Sequence, residues 1–185
     1  IFGLLSFVSY LVEGAVGDWS ALYLFEDKGI VIEEAVMGVM LFNGTMCIGR
    51  LLGNRLGKHL TSKQVVVGGY LLGSIAMGLI VFLPGHASMY TYLLLGISLA
   101  MIVPNLFSAM GEQNVIPMTQ AVATSTMLGY MGILMGPALI GFIAHGTSLT
   151  VAFIVLTILL VVSAGIGKYA YHLMSKDCGL SEEQI

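Results

Sequence analysis

Long apolar stretches broken by short polar punctuation run the length of this 185-residue chain. Crossing ~30 Å of hydrocarbon takes about 20 mostly apolar residues in a helix. Six windows reach that length, at residues 2–25, 35–56, 64–83, 90–111, 118–144 and 149–169. The turns between them fall at 26–34, 57–63, 84–89, 112–117 and 145–148, where Pro84-Gly85 and His145-Gly146 are breaker dipeptides. No segment shows the strict alternation over about 10 residues that a membrane β-strand needs. The pattern predicts an all-α membrane fold of six transmembrane helices. The chain begins at Ile1 inside an apolar run, without a charged lead, and reads as part of a longer protein.

Composition narrows the class. Only 9% of residues are charged and 57% are apolar, with mean hydropathy +0.96. A soluble domain carries about 25% charged residues, so this chain could not cover a water-facing surface. Net charge is −3, which gives no basic field for a nucleic-acid partner. Glycine supplies 24 residues, as expected where small side chains let membrane helices approach. Cys47 and Cys178 lie far apart in no metal or redox spacing.

Lysine and arginine set the orientation. Arg50, Arg55, Lys58, Lys63, Lys168 and Lys176 fall on one side, and Lys28 alone falls on the other. The loop after the second span and the C-terminal tail (170–185) are therefore expected in the cytoplasm. With six spans, the N-terminus joins them, in a multi-pass protein of the inner or plasma membrane.

Polar residues are unevenly distributed. Away from their ends, the third and sixth spans hold Tyr70, Ser74, Thr157 and Ser163 as polar residues, whereas the other four carry Glu13, Asp18, Asn43, Arg50, Asn105, Glu112 and Gln120. Polar groups in lipid face protein or a water-filled cavity. At 100° per residue, Ser6, Ser9, Tyr10, Glu13, Gly17 and Ser20 share an arc of about 100°. Asn43, Cys47, Arg50 and Asn54 share one of about 60°, and Ser98, Met101, Asn105, Ser108 and Glu112 one of about 80°. Gln120, Thr124, Met127, Met131 and Met135 form a fourth stripe. Four stripes on one axis would make a hydrated cleft with the third and sixth helices outside it. The competing reading is that the hydroxyls join helices, at about 0.6 kcal/mol apiece.

A carboxylate near the bilayer centre costs ~2.5–3.5 kcal/mol or more, so Glu13 is expected to be a proton or cation carrier or a substrate contact. Asp18, beside Trp19, reads equally as an interfacial carboxylate. Arg50 is expected to snorkel to the cytoplasmic interface, with an ion pair or an anionic substrate as the other options. Pro104 frees the carbonyl of Ala100 beside Asn105, suggesting a hinge or binding feature. Gly132-x-x-x-Gly136 followed by Pro137 suggests close packing plus a bend. No nucleophile–base, phosphate-loop or metal spacing occurs, so neither an enzyme nor a tight cofactor is expected.

The residues also carry a resemblance. The run from Glu13 through Asp18-Trp19 to Leu24 resembles the first helix of the C-terminal half in a bacterial inner-membrane branch of the major facilitator superfamily. Gly49-Arg50-Leu51-Leu52-Gly53-Asn54-Arg55-Leu56-Gly57-Lys58 is similar to that superfamily's conformational loop signature. Val103–Ala109 and the Gly129-Tyr130-Met131-Gly132 to Gly136-Pro137 stretch resemble its next conserved helices. Asn54 stands where the loop signature has Asp, and Gly49 comes one residue early, so the loop's charge relay does not carry over. The resemblance implies two inverted three-helix repeats, residues 1–83 and 90–169, forming half of such a fold. It implies a missing N-terminal six-helix partner and proton-coupled movement of a small polar or amphipathic solute by alternating access. Tyr10, Glu13, Asp18, Asn43, Arg50, Asn105, Gln120, Thr124 and Tyr130 are the expected substrate or coupling residues. Gly53, Asn54, Arg55, Gly57 and Lys58 form the loop motif. The alternatives are a non-transporting sensor or scaffold and a homodimerising half-transporter.

Overall fold

A computed structural model describes the backbone of residues 1–56, 60–112 and 116–178, and their side chains except at 54–56 and 177–178. The described residues form helices α1 (Phe2–Glu26), α2 (Ile32–Leu56), α3 (Ser62–Phe82), α4 (Gly85–Ala100), α5 (Ile102–Glu112), α6 (Met118–Gly146) and α7 (Leu149–Cys178). Together α4 and α5 make one span, Gly85–Glu112. It is interrupted at Met101, because Pro104 cannot donate to the carbonyl of Ala100. Asn105 closes this region by donating Nδ2–H to the Met101 carbonyl at 2.8 Å, and Ser108 Oγ donates to the Pro104 carbonyl at 3.1 Å.

Among the described residues, five spans are long and apolar enough to cross a membrane: Ile32–Gly53, Ser62–Phe82, Gly85–Glu112, Met118–Gly146 and Leu149–Lys176. The expected sixth, α1, has 25 residues and so about 37 Å of length, but Glu13 and Asp18 dilute its apolar run. Helices extend past the bounds that the sequence suggests. Pro84 is the N-cap of α4, so helix resumes at Gly85 rather than 90. Ser88 Oγ, donating to the Ile80 carbonyl at 2.7 Å, ties the new helix to the end of α3. The last helix continues to Cys178 instead of ending at 169, since Ala170, Tyr171 and Met174 are still buried. Helix α3 starts with a capping box: Gln64 N–H donates to Thr61 Oγ1 and Thr61 N–H donates to Gln64 Oε1.

Packing follows a definite order. Helix α1 packs most extensively on α6, α2 on α4, and α3 on both α7 and α4. Residues 3, 7, 11 and 19 of α1 meet 128, 132, 136 and 141 of α6, so these two helices run parallel. Gly49 and Gly53 of α2 face Ala100 and Met101, so α2 and α4 run parallel too. Helices α3 and α7 are antiparallel, with Gly73 near Leu160 and Gly167 near Val66. The core lies among α1, α3, α4 and α7, around Leu5, Val12, Tyr70, Leu95, Leu99 and Phe153. Helices α2 and α6 are the least buried spans.

At the end of the bundle holding the α1–α2 connection, Lys28 donates Nζ–H to the carbonyls of Val81 (2.6 Å) and Leu83 (2.9 Å) and lies 5.3 Å from the Tyr23 ring centre. A cation on the carbonyl end of α3 is where the helix dipole favours one. Burial works against the ammonium charge and lowers its pKa from the ordinary lysine value, while Asp27 opposes that shift. Replacing Lys28 with Met keeps the stem and removes both charged hydrogen bonds. The expected loss is about 1–2 kcal/mol, read as a lower unfolding temperature in detergent.

Candidate functional site

The buried carboxylate anticipated from the sequence sits at mid-length on α1, its side chain 11% exposed. Opposite it, Arg50 comes from α2, six residues (about 9 Å) from that helix's midpoint. Its Nη2 donates to both Oε1 and Oε2 of Glu13 at 3.3 Å. Arg50 therefore reaches back to Glu13 instead of snorkelling to the interface, since an unpaired carboxylate at that depth is the costlier arrangement. The guanidinium stays 45% exposed. Tyr10, one turn before Glu13, lies within electrostatic reach of Glu13, Arg50 and Tyr130. Tyr130 on α6 is 67% exposed. Asn43 and Cys47 continue the Arg50 face of α2 and are both exposed.

Other expected members lie elsewhere. Gln120 and Thr124 are exposed near the start of α6, whereas the level of Glu13 along the parallel α1–α6 pair is Ile133. Nine or more residues separate Thr124 from that level, about 13 Å. Thr124 instead lines an apolar cavity of about 510 Å³ with Phe2, Met110, Leu128 and Met174. Asp18 is exposed and makes no ion pair among the described residues. Asn43 spends an N–H on the Val39 carbonyl (3.0 Å) and Asn105 one on Met101. No hydrogen bond joins either amide to the Glu13–Arg50 pair among the described residues. In the loop motif Gly53 is buried against Met101, while Gly57 and Lys58 and the side chains of Asn54 and Arg55 lie outside the described residues.

The polar stripe of the first helix divides. Ser6 accepts from Ser125 Oγ at 2.8 Å, and Ser9 Oγ shares a 2.8 Å hydrogen bond with Tyr70 OH, which donates to the Leu5 carbonyl. Ser6, Ser9 and Ser20 are fully buried. The Ser6 and Ser9 hydroxyls join α1 to α6 and α3, because neighbours on both flanks cover most of the arc. Ser98 is likewise buried and donates to the Leu95 carbonyl. What stays on the open side is the charged edge of the stripe.

Helix α6 holds that edge in place. Gly132 and Gly136 set their Cα atoms against the α1 backbone at Phe7–Leu11 and Leu11–Ala15. Pro137 leaves the Ile133 carbonyl without its helical donor, and Gly14 approaches it so closely that a Cβ would stand 2.6 Å from the oxygen. Trp19 Nε1–H donates to the Pro137 carbonyl at 2.9 Å, so this tryptophan bridges two helices. A Trp19→Phe substitution should lower stability by about 1 kcal/mol, measured by thermal unfolding, while leaving the Glu13–Arg50 pair intact. The sequence singled out Pro137 and Trp19 but carried no signal that they meet, 118 positions apart.

The fold and this pair define a multi-pass helical membrane protein with a charged site on the open side of its bundle. Known proteins agree. The chain is 42% identical over 165 residues to an uncharacterised MFS-type transporter of Yersinia pestis, covering 88% of the chain and 42% of that protein. It is 31% identical over 150 residues to the membrane protein MosC of Rhizobium meliloti, covering 80% of the chain and 37% of that protein. An uncharacterised transporter of Sinorhizobium fredii is 28% identical over 157 residues, covering 83% of the chain and 41% of that protein. The chain thus spans about two fifths of the length of these relatives. No protein-family model and no solved structure matches it.

Proposed function

We propose that this chain is the C-terminal six-helix half of a proton-coupled major facilitator superfamily transporter of the bacterial inner membrane, with both termini cytoplasmic. The observation that carries the reading is the Glu13–Arg50 pair: a carboxylate and a guanidinium inside the membrane span, on the side of the bundle where α2 and α6 are least covered. Buried ionisable residues in membrane helices mark substrate and ion pathways. The helix pairing supports two inverted repeats. The first helix of each three-helix unit packs parallel to the second helix of the other, and the two third helices pack on each other. Exchanging the units leaves that pattern unchanged.

In this mechanism the missing six-helix half covers the open side, and a small solute binds between the halves. Protonation of Glu13 neutralises the carboxylate and leaves Arg50 with its charge, free to take a solute partner as the cleft closes; deprotonation restores the pair. Among the described residues, Tyr10 and Tyr70 are the other titratable side chains within electrostatic reach of Glu13. Rocking of one half against the other then gives alternating access.

The test is the full-length protein in proteoliposomes, offered a panel of radiolabelled small acids, sugars and amines under an imposed pH gradient. Accumulation beyond equilibrium for at least one solute, with no unitary currents in planar bilayers, is expected. Unitary currents, or no gradient-driven accumulation of any solute, would contradict it.

A further inference from the structure

The geometry of Arg50 points to the substrate class of the proposed site. We propose that the carried solute is an oxyanion (a carboxylate, phosphate or sulfonate) held by the Arg50 guanidinium in exchange for Glu13. This inference rests on the transporter reading above.

Glu13 engages Arg50 through Nη2 alone, and at 3.3 Å. Charge-assisted N–H···O⁻ bonds close to about 2.7–2.9 Å, and Arg–carboxylate pairs are frequently two-pronged. The contact here is loose and one-pronged. The Nε and Nη1 hydrogens have no partner among the described residues, and the side chain is 45% exposed toward the open face. Glu13, at 11% exposure, is the more buried partner and has no second cation among the described residues. Each free hydrogen has an Nη2 hydrogen beside it, so a two-oxygen anion that takes Nη2 over from Glu13 meets a planar fork. A cationic solute would find the carboxylate already covered by Arg50. A neutral solute would forgo the charge that makes the fork strong.

Tyr130 and Met127, both 67% exposed on α6, add aromatic and thioether surface suited to an apolar body attached to the anionic group. Two anions cannot both take the best geometry on one guanidinium, so solute binding competes with Glu13. The proton and the solute are thereby linked through a shared arginine.

The experiment is phenylglyoxal labelling of the full-length protein in detergent, with Arg50 modification read by peptide mass spectrometry and normalised to Arg55. The probes are benzoate and benzenesulfonate, against the neutral benzamide and benzenesulfonamide. The anions should slow Arg50 labelling about tenfold at saturation, and the amides should not. In Glu13→Gln, which removes the competitor, labelling without probe should be faster and protection should need severalfold less anion. Glu13→Asn serves where Glu13→Gln does not fold. Equal protection by the amides, or no protection by either anion, overturns the inference. Protection at the same concentration in wild type and variant overturns the competition with Glu13. Loss of proton-driven accumulation in Glu13→Gln without anion protection of Arg50 would remove this inference and leave the transporter reading standing. Anion protection with proton-driven accumulation intact in the variant would leave the oxyanion site standing and remove the proton-carrying role of Glu13.

Discussion

Glu13→Gln in the full-length protein should reduce proton-driven accumulation to background while solute still equilibrates down its own gradient. Glutamine keeps the size of the side chain and an acceptor oxygen for Arg50, so packing is preserved. What it loses is the proton-carrying group. Coupling requires a site whose charge changes between the two access states, and an amide offers none. The partner substitution separates charge pairing from proton carriage. Arg50→Gln leaves Glu13 alone at a depth where an unpaired carboxylate costs ~2.5–3.5 kcal/mol or more. It should therefore destabilise the protein more than the double variant Glu13→Gln/Arg50→Gln. Thermal unfolding of the three proteins checks this, and a double-variant loss equal to the sum of the two single losses would mean that the 3.3 Å contact carries no coupling.

Gly132→Leu should prevent stable association of α1 with α6, and Gly136→Leu should do the same. A Cβ at residue 132 meets the Phe7 carbonyl and the Leu11 nitrogen; at 136 it meets the Leu11 carbonyl and the Ala15 nitrogen. These are backbone atoms of a helix and have no rotamer to change. Overpacking of this kind costs about 3 kcal/mol per site, a large share of the stability of a small bundle. Gly17 and Gly44 are the controls, since a Cβ at either meets no heavy atom within 4 Å. Gly17→Ala and Gly44→Ala should leave the unfolding temperature unchanged or slightly higher. The readout is the yield of folded protein and its unfolding temperature in detergent. A Gly132→Leu protein as stable as the controls would contradict the close approach of these helices.

What the chain reveals by itself follows from which forces are local. Hydropathy placed the helical spans because helix formation and lipid exposure depend on neighbours in sequence. Glu13 stood out because a carboxylate amid apolar residues is anomalous wherever its helix points. The grouping of polar stripes failed for Ser6, Ser9, Ser20 and Ser98, which are buried between helices. Angular position says which residues share a face, but the neighbouring helices decide whether that face is covered. Gln120 and Thr124 share a helix with Tyr130 yet sit too far along it to join the pair, because depth depends on how α6 is set against α1. Arg50 had a free choice between the interface and Glu13 until the distance between α1 and α2 was known. The extension of α7 past 169 was hidden because Lys168, His172 and Lys176 suggest a tail, while Ala170, Tyr171 and Met174 on the other side are buried.

The account turns on whether the surface holding Arg50 meets water or acyl chains. Cys47, one turn before Arg50 and exposed on the same face of α2, is a native reporter of this. The deciding measurement is its reaction, in the full-length protein within a lipid bilayer, with a charged, membrane-impermeant methanethiosulfonate, read on the Cys47 peptide. Prompt labelling that slows when benzoate is present is the predicted result. A Cys47 inert to the charged reagent but open to a lipid-soluble maleimide would place this face against lipid and contradict the account.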